Sequence, residues 1–459
     1  MIINLINNDY KFDISNTAIL FYPRISVVDD SDGKKLTVSL DGNTAYAEYN
    51  DNGILYRSNS EVDDSLYDGP RCACVRVAFD VFHQATGLRP PWGLLIGVRP
   101  VNFYLKMSDI HGDSCEEVLE KSYLVAPEKI NICRKAVEMR KSSVDKLSED
   151  SYSLYISIPF CPSRCKYCSF VSYSTEKEKK YISPYIETLC SEIKKTAETA
   201  PHRNPLTVYI GGGTPTCIED CLFERVLNQI RESFDLSDCF EYTVEAGRPE
   251  TITEEKLCIM KKYGVNRVSV NPQTLSEEVL FTAGRKHTVQ DFFKAYSLAK
   301  EYGFDINIDL IAGLPLETTE SFENGLKKII ELSPANITVH TLYIKRAADY
   351  GLDSSLYANT DPEAVTQMVS TACNLLEKEG YFPYYLYRQK NTVGNNENIG
   401  FSKKGKECAY NIYMMDDIQT VYACGANAMT KIVKNGSIDR SCGTKFAYNY
   451  IRNNGEKNK

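Results

Sequence analysis

The sequence predicts an α/β protein whose centre is an incomplete (β/α)6 barrel. Two observations support this fold class. Between about residue 152 and residue 340, six apolar, strand-like stretches alternate with helical stretches, a pattern typical of a parallel sheet covered by helices. Glycines and polar side chains follow several of these strands, at the sheet end where α/β proteins hold their reacting groups. The length of 459 residues exceeds one ordinary core, so we expect flanking modules.

Residues 1–150 are predicted to form a separate α+β module. Apolar and polar residues alternate on both sides of Asp41-Gly42, which indicates a β-hairpin. A helical pattern follows over about residues 71–86, where Gly87 ends it, and a second helix is expected over about residues 127–146. This region contains no recognisable catalytic constellation, and its role is not predicted.

The barrel is expected over residues 151–345. Ser183 and Pro184 predict the start of the helix after its first strand, and Thr251 with Glu254 predicts a capping box after its third strand. The six predicted strands are Leu154–Ile158, Leu206–Ile210, Phe240–Val244, Asn266–Val270, Phe304–Leu310 and Asn336–His340.

A run of three cysteines follows the first strand directly. Cys161, Cys165 and Cys168 have C-x3-C-x2-C spacing, and three thiolates can hold three irons of a [4Fe–4S] cluster while leaving the fourth iron open. A structural zinc site would need a fourth ligand, and the next cysteine, Cys190, lies in a helical pattern. Disulfides require an oxidising compartment, which nothing in the sequence indicates. The cluster is therefore the favoured interpretation.

Polar groups also follow the later strands. The loop Gly211–Pro215 comes directly after the second strand, and its glycines allow a ligand to approach the backbone closely. Glu245 ends the third strand, where it can accept hydrogen bonds from ribose hydroxyls. Gln273, Arg285 and Asp309 end or follow the next strands. Because the ends of parallel strands meet at one sheet edge, these groups are expected to lie together.

Residues 346–459 are predicted to form a C-terminal α+β extension. Asp361 and Pro362 predict the start of a helix that runs to about Lys378. The following tyrosine-rich strand, residues 381–387, is typical of a core or sheet face, although a flat aromatic substrate would also suit it. Four basic residues near it in sequence could pair with carboxylates, with solvent exposure as the default expectation. These are Lys345, Arg346, Arg388 and Lys390.

Composition excludes some classes of function. The net charge of −8 argues against a nucleic-acid partner, which would normally leave a basic footprint. No stretch approaches the roughly 20 apolar residues that a membrane span requires, and the N-terminal residues lack a signal-peptide pattern. We therefore expect a cytoplasmic protein in which most of the sixteen cysteines are free thiols.

Six motifs together resemble one family, the oxygen-independent coproporphyrinogen III oxidase family of radical S-adenosylmethionine (SAM) proteins, and in particular its HemZ-like branch. In chain order they read LYISIPFCPSRCKYCSF, YIGGGTPT, TVEAGRP, VSVNPQTL, AGRKHT and INIDLIAGLP. The resemblance spans most of the chain and implies a radical SAM barrel.

The resemblance implies a role for each matching residue. Cys161, Cys165 and Cys168 would ligate the cluster, whose open iron binds the methionine group of SAM. The residues that would contact this SAM are Tyr155, Gly212, Gly213, Thr214 and Glu245. Those that match contacts to a second SAM are Tyr167, Gln273, Arg285 and Asp309.

The implied reaction converts two propionate side chains of coproporphyrinogen III to vinyl groups, giving protoporphyrinogen IX in haem biosynthesis. A reduced cluster would cleave SAM to a 5′-deoxyadenosyl radical, and a low-potential donor such as a ferredoxin or flavodoxin would reduce the cluster. The tetrapyrrole would be the substrate.

Two departures keep other hypotheses open. Phe170 stands where the well-studied oxidases have a fourth cysteine, and Tyr410 begins the segment that matches the H-N-x-x-Y-W motif of the related haem chaperones, where they have His. A haem-binding or haem-delivery protein is the second hypothesis. The third is a radical SAM methyltransferase or a tetrapyrrole-modifying enzyme on the same scaffold.

Overall fold

A computed structural model of the chain describes residues 1–22, 33–168, 170–343, 360–389, 392–434 and 436–455. Its contacts divide the chain into two compact units. The first comprises Met1–Val137 with Arg388–Asn391, and the second comprises Glu138–Tyr387 with Thr392–Lys459. The boundaries expected near residues 150 and 345 stay a proposal about domain organisation, and residue 345 lies outside the described residues.

The region before residue 150 is an α+β arrangement around a four-stranded sheet. Its strands are β1 (Ile2–Ile6), β2 (Lys34–Asp41), β3 (Thr44–Asp51) and β4 (Ile54–Glu61). Its helices are α1 (Lys11–Phe21), α2 (Gly69–Thr86), α3 (Pro100–His111), α4 (Cys115–Lys121) and α5 (Pro127–Val144). Strands β2 and β3 form the expected hairpin, with Gly42 at φ 57° in its turn, and Gly87 at φ 71° ends α2.

The rest of the described chain contains one eleven-stranded sheet and a separate two-stranded sheet, the latter formed by Phe160–Cys161 and Tyr173–Ser174. Its elements include the strands β5 (Tyr152–Ile158), β6 (Phe160–Cys161), β7 (Tyr173–Ser174), β8 (Thr207–Gly212), β9 (Glu241–Glu245), β10 (Arg267–Ser269), β11 (Asp305–Ala312), β12 (Asn336–Thr341), β13 (Phe382–Arg388), β14 (Glu397–Ser402), β15 (Thr420–Cys424), β16 (Met429–Lys434) and β17 (Ser437–Cys442). The helices here are α6 (Lys179–Thr199), α7 (Asp220–Ser233), α8 (Glu254–Lys262), α9 (Glu277–Thr282), α10 (Val289–Glu301), α11 (Thr319–Leu332), α12 (Pro362–Lys378), α13 (Ala409–Asp416) and α14 (Ala447–Gly455).

All six predicted barrel strands form and pair in parallel. They lie side by side in chain order as β5, β8, β9, β10, β11 and β12, with at least one helix in each connection. The C-terminal segment extends the sheet at both sides, since β15 pairs in parallel with β5 and β14 pairs antiparallel with β12. The α/β fold class is therefore confirmed.

Two predicted helix starts are wrong. Helix α6 begins at Lys179, so Pro184 lies inside it; the buried stripe that includes Ile182 and Ile186 continues past the proline and outweighs the local start signal. Helix α8 is capped by Thr253, whose hydroxyl accepts from the Lys256 amide at 3.3 Å. Thr251 instead bonds the Arg248 carbonyl.

Two buried charged side chains, Glu241 and Arg267, bond the backbone of residues 406–410, where α13 begins. The Glu241 carboxylate accepts hydrogen bonds from the Ala409 and Tyr410 amides at 2.8 and 3.0 Å, at the first turn of that helix. The Arg267 guanidinium donates to the Lys406 carbonyl at 3.0 Å and lies 3.6 Å from the Glu241 carboxylate. Because both groups are buried, this pairing fixes where the Tyr410 ring enters the interior.

The exposed role expected for Arg388 is wrong. It is buried, its guanidinium lies 5.3 Å from the centre of the Trp92 ring, and it bonds the Leu95 carbonyl. Lys345, Arg346 and Lys390 lie outside the described residues. Within the described part of the chain, no helix combines the length and the apolar character needed to cross a membrane.

Candidate active site

The cysteine run lies on the loop that leaves β5, and the glycine loop after β8 is bonded to it. The Gly213 amide donates to the Ile158 carbonyl at 3.0 Å, and the Thr214 amide donates to the Phe160 carbonyl at 2.7 Å. The Thr214 hydroxyl also lies 3.5 Å from the Cys161 sulfur. The two loops that the sequence predicts to meet at the sheet edge are therefore joined by backbone bonds.

The three thiols are close enough to affect one another electrostatically. Burial raises the pKa of Cys168 to about 11, and the charges of Cys165 and Cys161 contribute to this rise. Burial also raises the pKa of Cys161, while the Thr214 hydrogen bond and the Arg248 charge lower it. None of the sixteen cysteines, all of which the structure describes, forms a disulfide. Among the described residues, no group of three or more His, Cys, Asp or Glu side chains is arranged around a single metal ion.

Arg285 ties the cysteine loop to the ends of two strands. One terminal nitrogen lies 3.1 Å from the Tyr167 hydroxyl and 3.9 Å from the Cys165 sulfur. The other donates to the carbonyls of Gly247, at 2.9 Å, and Asn271, at 2.5 Å. The side chain is 6% exposed, so its positive charge acts on the thiols with little screening by water.

Arg248 makes a second connection of the same kind. It is 2% exposed, and one terminal nitrogen donates to both the carbonyl and the hydroxyl of Ser163, at 2.8 and 2.6 Å. Its other terminal nitrogen lies 3.9 Å from the Glu250 carboxylate. Ser163 lies between Cys161 and Cys165, so the first half of the cysteine loop is bonded to the segment after β9.

The glycine loop is packed too tightly for side chains. A Cβ atom at Gly213 would lie 2.5 Å from the Phe160 carbonyl oxygen, and one at Gly211 would lie 2.7 Å from the Glu245 carboxylate. Gly212 has φ of 103°, a conformation that favours glycine. These three glycines are therefore required by local geometry.

Aromatic rings cover one part of the inner face of the sheet. Tyr155 on β5 and Tyr209 on β8 are register partners, and the Tyr410 ring stacks on Tyr209 with centroids 4.4 Å apart. The Tyr209 hydroxyl donates to the Glu245 carboxylate at 2.6 Å. Burial raises the pKa of Glu245 to about 7, and the Asp309 charge contributes to this rise, while the Tyr209 hydrogen bond opposes it.

A polar network continues this face toward β12. The Asp309 carboxylate accepts from the amides of Asn271 and Asn307, at 2.7 and 2.8 Å, and His340 lies 3.8 Å away. Although burial acts to raise the pKa of Asp309, its interaction with the nearby His340 and its hydrogen bond with Asn307 hold this pKa below its usual value. The backbone of Gln273 has φ of 71°, and its backbone N–H donates a hydrogen bond to the Asp309 carbonyl.

The predicted site residues thus fall into two connected groups. Those around the cysteine loop are Cys161, Cys165, Cys168, Tyr167, Gly212, Gly213, Thr214 and Arg285. Those on or beside the inner face of the sheet are Tyr155, Glu245, Gln273 and Asp309. Which of them contact a cofactor stays a prediction.

Sequence reasoning missed several contributors to the same site. Arg248 and Asn271 lie two or three residues after strands, within two of the six motifs, so their position near a strand end is a signal that the sequence contains. His340 ends the predicted sixth strand and lies one residue before the end of β12, so the strand pattern alone gives no reason to single it out. Tyr209 lies in the middle of a strand, where nothing in the sequence distinguishes it. The Tyr410 ring reaches the interior from a helix distant in sequence, so no local pattern could locate that ring.

Comparisons with known proteins identify the family of the chain. A family model described as the radical SAM superfamily matches residues 155–329. The oxygen-independent coproporphyrinogen-III oxidase-like protein HemZ of Bacillus subtilis is 38% identical over 384 residues, 81% of this chain and 75% of the relative. The heme chaperone HemW of the same organism is 30% identical over 60% of this chain and 70% of the relative.

A solved structure shares the fold. Escherichia coli HemN, described as a coproporphyrinogen III oxidase and a radical SAM enzyme, has a TM-score of 0.57 at 24% identity, covering 69% of this chain and 72% of that chain. Three free thiols on one loop, with two buried arginines bonded to that loop, fit the ligand set and the negative charge of an iron–sulfur cluster. The chain therefore belongs to the oxygen-independent coproporphyrinogen III oxidase-like family of radical SAM proteins, which use a [4Fe–4S] cluster and SAM.

Proposed function

We propose that this chain catalyses the oxygen-independent oxidative decarboxylation of coproporphyrinogen III, giving protoporphyrinogen IX. The observation that carries the proposal is the bonding of the cysteine loop, through Arg285, to the strand ends beside the face that holds Glu245 and Asp309. A radical reaction needs its reacting groups fixed and protected from water. A rigid loop next to a buried face meets both needs.

The reaction imposes a definite balance on each propionate. The β-carbon loses a hydrogen atom, the carboxylate leaves as CO2, and one further electron passes to a one-electron acceptor, which leaves a vinyl group. The bound cluster and SAM supply the species that removes the hydrogen atom. The chain's own residues must hold the propionate, keep water away and position SAM.

The residues expected to contact the cluster-bound SAM are those that the resemblance named, Tyr155, Gly212, Gly213, Thr214 and Glu245. Close packing of the glycines supports this role, because backbone groups there can reach a ligand that side chains would exclude. Glu245 is oriented by the Tyr209 hydroxyl.

A second SAM is proposed beside the first. Its expected contacts are Tyr167, Gln273, Arg285 and Asp309. The Gln273 side-chain oxygen supports a ligand here, since it is buried with no hydrogen-bond partner among the described residues.

The proposal implies a partner and a location. Reduction of the cluster requires a low-potential donor such as a ferredoxin or flavodoxin. Sixteen cysteines without a disulfide are typical of a reducing compartment, so we also propose a cytoplasmic location.

The test is an anaerobic assay with reconstituted cluster, SAM, a low-potential reductant and coproporphyrinogen III, followed by mass spectrometry. Loss of two CO2 units from each porphyrinogen supports the proposal. Cys161→Ala is the matched control and is expected to abolish both decarboxylation and SAM cleavage. Cleavage of SAM by the wild type without decarboxylation contradicts the proposed reaction and leaves the radical chemistry intact.

A haem-binding or haem-delivery function is the second candidate, because the HemW relatives are named heme chaperones. Phe170, 67% exposed where the oxidases have a cysteine, is consistent with it. Tyr410 argues against haem ligation at the matching segment, since its ring is 4% exposed and stacked on Tyr209. Tight, equimolar haem binding without decarboxylation would favour this candidate.

A further inference from the structure

His340, at the carboxyl end of the sixth parallel strand, has two long contacts. Its Nε2 atom lies 3.8 Å from the Asp309 carboxylate, and its Nδ1 atom lies 3.5 Å from the Tyr387 hydroxyl. Both distances exceed the usual hydrogen-bond range of about 2.7–3.2 Å. The side chain is 28% exposed, whereas Val339 and Thr341 beside it are buried. The imidazole can therefore form a shorter bond with a ligand.

Asp309 does not depend on His340 for its hydrogen bonds. Each carboxylate oxygen already accepts a bond from an asparagine amide, Asn271 at 2.7 Å and Asn307 at 2.8 Å. Asn307 is fixed in turn by the Thr338 hydroxyl at 3.2 Å. The carboxylate can thus orient the imidazole, while its own bonds stay in place when His340 turns to a ligand.

The surroundings restrict the kind of ligand. Glu245 and Asp309 make this face acidic, and His340 is a basic group that interacts electrostatically with both. A carboxylate entering here would be repelled by the two acids unless a cation or strong donor met it. His340 is a half-buried donor on this face that could meet such a carboxylate.

Two tyrosines of β13 lie near the same histidine, and of these Tyr385 is buried whereas Tyr387 is half-buried. The rings of Tyr385 and Tyr387 on β13 are nearly parallel, at 10°, with centroids 6.4 Å apart. Tyr387 also reaches His340 through its hydroxyl. A ligand with an acidic side chain that enters here would meet the half-buried Tyr387 and the imidazole together.

We propose that His340 donates a hydrogen bond to a carboxylate of the substrate, with Asp309 and Tyr387 as positioning residues. The inference rests on the proposed function for the identity of the substrate, a tetrapyrrole with propionate side chains. It adds the group that recognises a propionate, which the family resemblance did not assign.

The test compares the binding of coproporphyrin III with that of its tetramethyl ester. Each porphyrin is titrated with the protein, and binding is measured from the change in its Soret absorption. Wild type is expected to prefer the acid. His340→Gln is expected to weaken binding of coproporphyrin III about tenfold, the cost of losing one hydrogen bond to a charged group, and to leave binding of the ester unchanged. His202→Gln is the matched control, because His202 bonds the Asp150 carbonyl before β5 begins. Tyr387→Phe is expected to give a smaller loss than His340→Gln.

The outcomes separate this inference from the proposed function. Equal affinity of the wild type for acid and ester overturns the role of His340, and this result needs no variant. Equal binding of coproporphyrin III by wild type and a folded His340→Gln overturns it as well. If the acid preference depends on His340 but the wild type releases no CO2, the carboxylate site stands and the proposed reaction fails.

Discussion

The terminal nitrogen of Arg285 that lies 3.1 Å from the Tyr167 hydroxyl also lies 3.9 Å from the Cys165 sulfur. The same guanidinium bonds the Gly247 and Asn271 carbonyls at the ends of neighbouring strands. One side chain therefore fixes the position of the expected cluster relative to the inner face of the sheet. Removal of the Arg285 side chain should therefore disturb the conformation of the cysteine loop more than that of the sheet.

Arg285→Ala is expected to lower the iron content after reconstitution and to reduce the free energy of unfolding by about 2–3 kcal/mol, because two buried carbonyls and the Tyr167 hydroxyl lose a donor. Tyr167→Phe is the matched control. It loses only one of these bonds and should cost about 1 kcal/mol. Iron analysis and denaturant unfolding measure both effects, and equal losses in the two variants would contradict this assignment.

Arg248 gives an independent test of the loop. Arg248→Gln is expected to impair cluster retention during gel filtration, because both bonds to Ser163 depend on the guanidinium. Ser163→Ala removes the hydroxyl and keeps the carbonyl, so we expect a smaller loss. Normal retention of iron by Arg248→Gln would show that the loop holds its conformation without this contact.

Gly213 tests the packing between the two loops. Gly213→Ala places a Cβ 2.5 Å from the Phe160 carbonyl oxygen, so the backbone before Cys161 must move. We expect less cluster after reconstitution and weaker binding of SAM. Gly97→Ala is the control, because a Cβ there meets nothing within 4 Å. Equal iron content in the two alanine variants would be evidence against a close packing requirement.

Glu245 gives a prediction for the pH dependence of stability in the cofactor-free protein. Burial raises its pKa from 4.5 to about 7, so the folded state holds the proton more tightly than the unfolded state does. Its contribution to stability is complete below about pH 4.5 and is lost as the pH rises through about 7, with an upper limit of about 3 kcal/mol.

Glu245→Gln is expected to remove this part of the pH dependence. Tyr209→Phe removes the hydrogen bond that lowers the pKa of Glu245, so the loss of stability should move to higher pH. Denaturant unfolding between about pH 5 and 8 measures the change. If the free energy of unfolding changes with pH equally in the wild type and in Glu245→Gln, the Glu245 carboxyl does not bind a proton in that pH range.

The sequence predicted most of the barrel because its signals are local. Six apolar strands with helices between them predicted the parallel sheet, and residues such as Cys161 and Glu245 could be placed at strand ends by counting. The helix starts at Pro184 and Thr251 failed because they relied on capping signals alone. Burial of the Ile182 side chain favours the start of α6 at Lys179, five residues before Pro184.

Contacts between segments distant in sequence were not predictable from such patterns. The stack of Tyr410 on Tyr209 depends on Glu241 and Arg267, which hold the backbone near α13. The buried position of Arg388 depends on the Trp92 ring. In each case the partner lies more than a hundred residues away, and composition gives no information about it.

The most direct measurement of the proposed reaction follows a hydrogen atom. Coproporphyrinogen III carrying deuterium at the propionate β-carbons is incubated anaerobically with the reduced, cluster-loaded protein and SAM, and the 5′-deoxyadenosine formed is analysed by mass spectrometry. We predict that it contains deuterium and that the tetrapyrrole loses two CO2 units. Unlabelled 5′-deoxyadenosine with an intact tetrapyrrole would contradict the proposal and direct attention to a different substrate.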